Sequence, residues 1–297
     1  MNVYFPISGI SVNVFVPPLV AFVISFFTSM GGVSGAFLIL PFQVSFLNYT
    51  SPGVSGTNFI YNVVAIPGGV YRYFKEGRMF LPLATVLSIG TLPGVFMGYF
   101  IRVKYLYDPV VFKAFVGVVL LYIGLRLLHS LIRSKKDDYT KGFQLKLLSS
   151  NIFRSSFEFQ EKTYNFSNFW MFWLSFFVGI IGGAYGIGGG SIIAPFCVAV
   201  FKLPVYVVAG PALLATWITS ILGVFYYSLN PLGSSGSEPD ILLGFLFGLG
   251  GILGTYLGAR CQRHVPSHLI KFILSFSVLF LSLKYILDFV LKTFFTP

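Results

Sequence analysis

A glycine-rich interruption of an apolar segment occurs twice in this chain, at residues 31–41 and again at residues 185–195. A shift of 154 residues superimposes the two copies, with Gly35 on Gly189. Glycine frees backbone that a regular helix would satisfy, and lipid offers that backbone no hydrogen-bond partner. Such a segment must therefore lie inside protein or line a wet cavity. Interrupted apolar segments at matching places in two halves are typical of a transporter's binding site.

The similarity between the two halves extends beyond the interruptions. The same shift continues without a gap over several glycine, proline and aromatic positions. These pairs are Gly32 with Gly186, Pro41 with Pro195, Gly56 with Gly210, Gly69 with Gly223 and Tyr73 with Tyr227.

Composition places the chain in a membrane. Of its 297 residues 56% are hydrophobic and 10% charged, whereas soluble domains carry about 25% charged residues. The apolar runs have the length of about 17–25 residues that a spanning helix needs, and the alternating segments of a barrel are absent. The sequence predicts an all-α polytopic membrane protein. We interpret the net charge of +11 as a topology signal, with lipid and not nucleic acid as the partner.

Each half is predicted to hold a glycine-broken helical hairpin followed by three transmembrane helices. We divide the chain into a first repeat (1–132), a linker (133–167) and a second repeat (168–297). The predicted first-half segments are 14–30 and 36–47 for the hairpin arms, then 54–74, 80–101 and 110–132. The corresponding second-half segments are 168–185, 190–201, 205–228, 240–260 and 268–291.

Basic residues are unevenly distributed among the loops, and this distribution fixes the expected topology. Lys and Arg gather at 72–79, 133–162 and 260–271, while 1–16, 48–53 and 230–240 have none. Positive loops stay in the cytoplasm. If each hairpin enters and leaves on one side, all three basic loops lie inside, with Arg102 and Lys104 as outside exceptions. The two repeats are then inverted, both termini lie outside, and the linker is cytoplasmic. We expect the linker to be a surface loop with an amphipathic stretch at 143–153.

Neutral hydrogen-bonding residues gather around the two interruptions. Asn58, Tyr61 and Asn62 share one helix face, because they are spaced three and four residues apart. Backbone at the glycines and nearby side chains would line the substrate site, although a helix–helix hydrogen bond is an equally simple role for a single Ser or Thr. The candidate substrate-binding residues are Gly31, Gly32, Ser34, Gly35, Asn58, Tyr61, Asn62, Gly186, Gly188, Gly189, Gly190, Ser191, Thr216 and Thr219.

The charge of the predicted site favours an anion. The nine acidic residues lie in or near loops and helix ends, so the midplane carboxylate expected of a cation site is missing. Half-helices that begin near Ala36 and Gly190 would direct free N–H groups and partial positive charge at a small anion. No metal-ligand spacing, cofactor motif or acid–base motif is visible, so neither a metal, a cofactor nor an enzyme is expected. Cys197 and Cys261 are expected to be two free thiols.

The motifs resemble those of the sulfite exporter TauE/SafE family of membrane permeases. The resemblance rests on Gly-x-Gly-Gly-Gly-Ser-x-x-x-Pro at 186–195 and on the weaker Gly-x-x-Gly-x-x-x-x-x-Pro at 32–41. Gly-x-x-x-Gly at 94–98 and 254–258 fits the same pattern, and only the linker falls outside the likeness. The resemblance implies transport of sulfur-containing anions such as sulfite or organosulfonates, and it fixes neither the substrate nor the direction.

We therefore expect a permease of the cell (inner) membrane that moves small sulfur anions by alternating access at a midplane site between the repeats. Two other classes remain open. One is a passive anion channel of the same fold, and the other is a membrane receptor or assembly subunit that does not transport. The sequence gives no oligomeric state and no energy source.

Overall fold

The computed structural model describes residues 2–30, 33–133, 145–199, 201–230, 232–233, 235–261 and 267–294. These residues form ten helices and five strands. The helices are α1 (Val16–Met30), α2 (Ala36–Phe46), α3 (Gly53–Lys75), α4 (Leu81–Lys104), α5 (Pro109–Arg133), α6 (Asn168–Tyr185), α7 (Gly190–Ala199), α8 (Val205–Leu229), α9 (Ile241–Cys261) and α10 (Ser267–Phe294). The strands are β1 (Asn2–Phe5), β2 (Ile10–Asn13), β3 (Leu145–Ser150), β4 (Arg154–Phe159) and β5 (Lys162–Ser167).

Both interruptions separate two helices, as predicted. The half-helices α2 and α7 begin at Ala36 and Gly190, the positions expected from the sequence. Five helices of the described residues are long and apolar enough to cross a membrane, namely Leu81–Lys104, Pro109–Arg126, Asn168–Tyr185, Tyr206–Leu229 and Ile241–Cys261. Two shorter apolar helices, α1 and α2, form the first hairpin. The protein is therefore integral to a membrane.

The described part of the linker is a sheet, which corrects the prediction of an irregular surface loop. β3, β4 and β5 form an antiparallel meander, and residues 145–150 of the expected amphipathic stretch are its first strand. Apolar and polar residues alternate along β4, where Phe157 and Phe159 point to the buried face. A second hairpin, β1 with β2, precedes α1. The fold is thus mainly helical and not all-α.

The sheet is anchored to two helix starts at one end of the molecule. The ring of Phe157 lies 4.9 Å from that of Phe80, the residue that precedes α4. Asn168, the first residue of α6, donates from Nδ2 to the carbonyl of Asn151 over 2.6 Å. The loop between α3 and α4 and the described linker therefore share one end. We call it the basic end, because it carries Arg72–Arg78 and the sheet.

The opposite end gathers the segments that lack Lys and Arg. Gly53 donates its N–H to the carbonyl of Gly236 over 2.8 Å, which joins the α2–α3 loop to the α8–α9 loop. Ser8, in the β1–β2 turn, donates from Oγ to Oδ2 of Asp240 over 2.7 Å. Oδ1 of Asp240 also accepts from the N–H of Leu243 and so caps α9. We call this the neutral end.

Two stripes of glycine interlock the halves of the chain. Gly90, Gly94 and Gly98 on α4 lie so close to the backbone of α6 that a Cβ at any of them would overlap it or Ser175. On α9, Gly250 and Gly254 approach the carbonyls of Pro18 and Phe22 of α1 in the same way. Small residues allow such close backbone contact between membrane helices. Each stripe therefore holds the first arm of the other half's hairpin.

Three further helix pairs contribute to the packing. α3 contacts α8 and α9, and α5 contacts α10. On the last pair, the hydroxyl of Ser282 donates to the carbonyl of Gly117 over 2.8 Å. The central helix α3 is buried over most of its length, including polar Ser55, Thr57, Asn58 and Asn62. The interior around α3 is the place where both interruptions meet.

Candidate functional site

The second interruption has a backbone that requires glycine. Gly186 ends α6 with φ of +84°, and Gly188 follows with φ of +70°. L-residues are disfavoured in this left-handed region. A Cβ on Gly186 would also lie 2.5 Å from the carbonyl oxygen of Ser55 on α3. The turn therefore exposes its carbonyl groups directly to the polar face of α3.

Asn58 joins the two interruptions. Its Nδ2 donates to the carbonyl of Gly186 over 2.9 Å and to the carbonyl of Ala36, at the start of α2, over 3.0 Å. An amide nitrogen carries two hydrogens, so both are used here. In this arrangement Asn58 fastens backbone from both halves together.

Asn62, one turn further along α3, makes a similar link. Its Nδ2 donates to the carbonyl of Ile187 over 3.1 Å, and its Oδ1 accepts from the hydroxyl of Ser34 over 2.5 Å. Ser34 Oγ in turn accepts from the N–H of Ala36 over 3.2 Å. A single chain of hydrogen bonds thus runs from the N-terminus of α2 to the turn before α7.

Tyr61 lies beside this chain of hydrogen bonds and is fully buried. Its hydroxyl shares a hydrogen bond of 2.7 Å with Ser25 of α1. A Cβ on Gly35 would lie 2.6 Å from the same hydroxyl, so glycine leaves the space that Tyr61 occupies. The predicted residues Ser34, Gly35, Asn58, Tyr61 and Asn62 therefore form one cluster, which we call the crossing site together with Gly186–Gly190.

Carbonyl groups released by proline are taken up by side chains across the interface. Pro41 has no N–H and cannot bond the carbonyl of Phe37 four residues earlier, and the hydroxyl of Tyr185 donates to that carbonyl over 2.9 Å. Pro67 likewise releases the carbonyl of Val63, which accepts from Trp217 Nε1 over 3.0 Å. Since lipid supplies no donor, these contacts satisfy backbone that the kinked helices leave open.

The threonines of α8 lie against the second interruption. A Cβ on Gly188 would lie 2.8 Å from Cγ2 of Thr216 and 3.3 Å from Oγ1 of Thr219. Both hydroxyls donate within α8, Thr216 to Ala212 and Thr219 to Ala215, each over 2.8 Å. An oxygen that donates to its own helix keeps its lone pairs available to a neighbouring donor.

Gly189 and Gly190 allow the first turn of α7 to pack closely against neighbouring helices. A Cβ on Gly190 would overlap the carbonyl of Ala212 and Oγ1 of Thr216, and one on Gly189 would overlap the methyl of Thr91 on α4. The half-helix α7 therefore packs with its backbone directly on α8 and α4.

The two halves contribute unequally to the site. Under the shift of 154 residues, Asn58 corresponds to Ala212 and Asn62 to Thr216. The amide donors come from α3 alone and bind carbonyls of the second interruption. The matching positions of α8 carry the methyl group of Ala212 and the hydroxyl of Thr216, which donates to its own helix.

A buried acceptor beside the crossing site has no partner within the described part of the chain. Gln43 on α2 donates from Nε2 to Oδ1 of Asn58 over 3.4 Å. Its Oε1 is buried and has no hydrogen-bond partner among the described residues. Among the described residues, Gln43 Oε1 is thus an open acceptor next to Asn58.

Three predicted positions cannot be placed in this geometry. Gly31 and Gly32 lie outside the described residues, and so does the side chain of Ser191. Of the other eleven predicted residues, nine belong to the crossing site, and Thr216 and Thr219 lie against it at Gly188.

Charge is kept away from the crossing site within the described residues. The side chains that hydrogen-bond there are neutral amides and hydroxyls. No group of three His, Cys, Asp or Glu side chains in that part of the chain could hold a metal ion. Cys197 is a buried free thiol whose Sγ lies 3.6 Å from Sδ of Met171.

Several contacts near the candidate site were not predicted from the sequence. Pro41 and Pro67 mark the carbonyls of Phe37 and Val63 as open, but no sequence signal identifies Tyr185 and Trp217 as the side chains that bind them. Arg102 was expected to be a terminal charge outside the membrane, yet it is fully buried in the last turn of α4. No local sequence signal marks its burial, since loop backbone from two places covers it.

Comparison with known proteins identifies the family. The model of the sulfite exporter TauE/SafE family matches residues 18–285. The chain is also 23% identical over 259 residues to the "Probable membrane transporter protein YunE" of Bacillus subtilis (strain 168). The aligned region covers 83% of this chain and 87% of the relative. No solved structure matches the chain. The protein is a membrane transporter that belongs to the sulfite exporter TauE/SafE family.

Proposed function

We propose that this protein carries small sulfur oxyanions, such as sulfite or an organosulfonate, through the crossing site by alternating access between two inverted repeats. The observation that supports the proposal is that backbone of both interrupted hairpins meets a buried, uncharged cluster of amides and hydroxyls on α3. The following contacts support each part of it.

The first hairpin opens toward the neutral end. α1 follows the β1–β2 hairpin, whose Ser8 binds Asp240. The loop after α2 leads to Gly53, which binds Gly236 at the same end. Both limbs of the α1–α2 hairpin therefore reach one end of the protein, and the interruption between them lies at depth.

The second hairpin opens toward the basic end. α6 begins at Asn168, which is bonded to the β3–β4 turn. The chain after α7 enters α8 at Val205, and the ring of the next residue, Tyr206, lies 5.7 Å from the guanidinium carbon of Arg78 in the α3–α4 loop. Opposed hairpins of this kind are the architecture in which a midplane site is reached from each side in turn.

Orientation follows from the distribution of basic residues. Positive loops remain cytoplasmic, so the basic end faces the cytoplasm and the neutral end faces outward in the cell (inner) membrane. β1 lies at the neutral end. The last turns of α10 lie there too, because Asp288 and Phe289 border the same small cavity as Pro109 at the start of α5. In the proposed orientation both termini lie outside.

The chemistry of the crossing site supports an anion as cargo. A buried site without carboxylates penalises a cation, which would have no counter-charge. The first turns of α2 and α7 contribute partial positive charge without a fixed cation, so a small anion can bind and still be released. Sulfur oxyanions are proposed because the family model is that of a sulfite exporter.

The glycine stripes indicate which parts would move as units. α4 with α6 and α9 with α1 are in backbone contact, and such interfaces resist sliding. Alternating access would then rearrange the contacts between these paired units at α3 and α8, where Asn58 and Asn62 hold the second interruption. Breaking and remaking those hydrogen bonds would open the site to one end or the other.

The decisive experiment is uptake of labelled sulfite into liposomes containing the purified protein, with sulfate and sulfoacetate as competitors. Gly189→Leu places a side chain where only Thr91 fits, and Thr216→Val removes a hydroxyl at constant size. Both should abolish or strongly reduce saturable flux while the protein still inserts. The matched control is Thr85→Val, since Thr85 bonds its own helix in the same way at an exposed position of α4.

The outcomes separate the proposal from its rivals. Saturable flux that is accelerated by substrate on the far side supports a carrier, whereas linear flux without such acceleration indicates a channel. Absence of sulfite flux, together with absence of flux when sulfate or sulfoacetate carries the label instead, contradicts the substrate class. Retention of full activity in Gly189→Leu and Thr216→Val would place the site elsewhere.

A further inference from the structure

Arg102 is a fully buried cation at the neutral end. Its side chain is 0% exposed. Nη1 donates to the carbonyl of Leu106, just beyond α4, and Nη2 donates to the carbonyl of Thr50 in the α2–α3 loop over 3.2 Å. The guanidinium carbon lies 3.6 Å from the centroid of the Phe112 ring. Backbone oxygens and an aromatic face thus surround the charge.

This charge has no carboxylate partner among the described residues. The ion pairs found there, Arg72 with Glu76 and Arg78 with Glu76, lie at the basic end. Asp108 is the nearest acid in sequence, and its Oδ1 accepts from the N–H groups of Val110 and Val111 at the start of α5. The negative charge expected beside a buried arginine is therefore absent from the described residues.

An uncompensated buried cation is costly, since burial removes the water that stabilises it. The hydrogen bonds to two carbonyl groups and the contact with the Phe112 ring offset part of that cost. However, Nε of Arg102 is buried and has no hydrogen-bond partner in the described residues. A guanidinium presents its N–H groups as a flat fork that matches an oxyanion. The Nε–H of Arg102 is one of these donors, and it is not used by the described residues.

Three tyrosines, Tyr49, Tyr107 and Tyr227, also lie near the guanidinium of Arg102. The hydroxyl of Tyr227 donates to the carbonyl of Gly183 in the last turn of α6, three residues before the turn at Gly186. One tyrosine therefore separates the Arg102 group from the second interruption.

We propose that Arg102 is the core of a second anion-binding site, on the neutral-end approach to the crossing site, that takes a small anion as counter-ion. Nε, together with the remaining N–H hydrogens of the guanidinium, donates to the anion. The ligand is a small oxyanion or halide, whether it is the cargo itself or an ion from the medium. Binding at Arg102 requires no transport, so the inference stands or fails apart from the proposed function.

The test is thermal unfolding of the purified protein in detergent, titrated with sodium chloride, sulfate or sulfite against gluconate at constant ionic strength. The variants are Arg102→Gln, Arg102→Lys and the control Lys104→Gln. Lys104 is an exposed cation two residues along the same helix end, so its loss tests a general charge effect. The chloride and sulfate arms report a medium ion, and the sulfite arm reports the cargo.

A bound anion raises the unfolding temperature of the native state by mass action. We expect the wild type and Lys104→Gln to show the same anion-dependent rise. In Arg102→Gln the apparent affinity should fall about tenfold or more, the loss expected for a charged hydrogen bond. Arg102→Lys should show an intermediate loss, because an ammonium group lacks the fork and its Nε donor.

Two results would overturn the inference. One is a wild type whose unfolding temperature responds to none of the three anions. The other is an unchanged titration in the Arg102 variants, which would leave Arg102 as a clamp between two loops. If Arg102→Gln does not fold, Arg102→Lys decides alone, and a titration equal to that of the wild type rejects the site.

Discussion

Trp217 Nε1 donates a hydrogen bond to the backbone carbonyl of Val63 over 3.0 Å, and these two residues are superimposed by the shift that relates the two halves of the chain. The contact joins α8 to α3 at matching positions. Pro67 leaves the Val63 carbonyl without its helical donor, so the indole replaces a bond that the backbone cannot make. One hydrogen bond thus joins matching positions of the two halves and satisfies a carbonyl left open by proline.

Trp217→Phe keeps an aromatic ring and removes this donor. We expect a loss of about 1–3 kcal/mol in the free energy of unfolding, since an acceptor between two membrane helices is left unpaired. Circular dichroism during thermal unfolding in detergent measures it. Trp170→Phe at a largely exposed position of α6 is the control, and an equal effect in both variants would contradict the assignment.

Tyr185→Phe should be more damaging to function than to the remainder of the fold. Its hydroxyl serves the carbonyl of Phe37 in the first turn of α2, so its loss unpairs a carbonyl beside the crossing site. We expect about 1–3 kcal/mol of destabilisation and reduced sulfite flux in liposomes. Tyr71→Phe, exposed on α3, should leave both quantities unchanged. Full flux in Tyr185→Phe would separate this bond from transport.

Gly94→Leu should prevent assembly of the two halves. Any side chain at Gly94 meets the carbonyl of Phe176, which is backbone and cannot move aside. Gly254→Leu should have the same effect through Phe22 of α1. The yield of monodisperse protein after detergent extraction is the readout. Thr85→Leu adds equal bulk at an exposed position of α4, and a comparable loss there would refute specific interlocking.

Gly188→Ala combines backbone strain with crowding. Left-handed backbone costs an L-residue roughly 1–2 kcal/mol, and the added methyl would also meet Cγ2 of Thr216. Gly77→Ala is the matched control, because Gly77 has φ of +66° and open space around it. Thermal unfolding should show a larger loss at Gly188. Adding Thr216→Ser to Gly188→Ala removes the clashing methyl and should recover part of the difference in thermal stability from Gly77→Ala. If nothing is recovered, backbone strain alone causes the loss.

The membrane orientation predicts opposite labelling of the two ends. Gln160 and Ser235 are exposed, at the basic and neutral ends respectively. With Cys261 replaced and Cys197 buried, Ser235→Cys should react with a membrane-impermeant maleimide on intact cells. Gln160→Cys should react only after permeabilisation. The reverse pattern would invert the proposed topology, and labelling of both on intact cells would contradict a membrane between them.

Most helices could be predicted because the residues that specify them are close together in the sequence. Long apolar runs specify helices that can leave water, and glycine and proline specify where those helices break. α2 and α7 start at the predicted residues for this reason. The strands of the linker were missed, although the alternation of Phe157 and Phe159 with polar residues was present, because the whole linker was interpreted from its polarity.

The crossing site was only partly predictable. The spacing of Asn58, Tyr61 and Asn62 placed them on one helix face, and the structure brings them to the glycine turn. Their partners could not be foreseen, because Gly186 and Ile187 lie more than a hundred residues away along the chain. The carbonyl that each amide binds depends on how the halves dock.

The sequence by itself determined the membrane class, the family and the two broken hairpins, since hydropathy and backbone freedom belong to short segments. Only the tertiary structure decided that each glycine stripe seats the other half's hairpin, that Tyr185 and Trp217 replace the bonds lost to proline, and that Arg102 is buried. These features depend on contacts between distant segments. A backbone group in the membrane interior must find a partner in the protein, and packing alone determines which residue provides it.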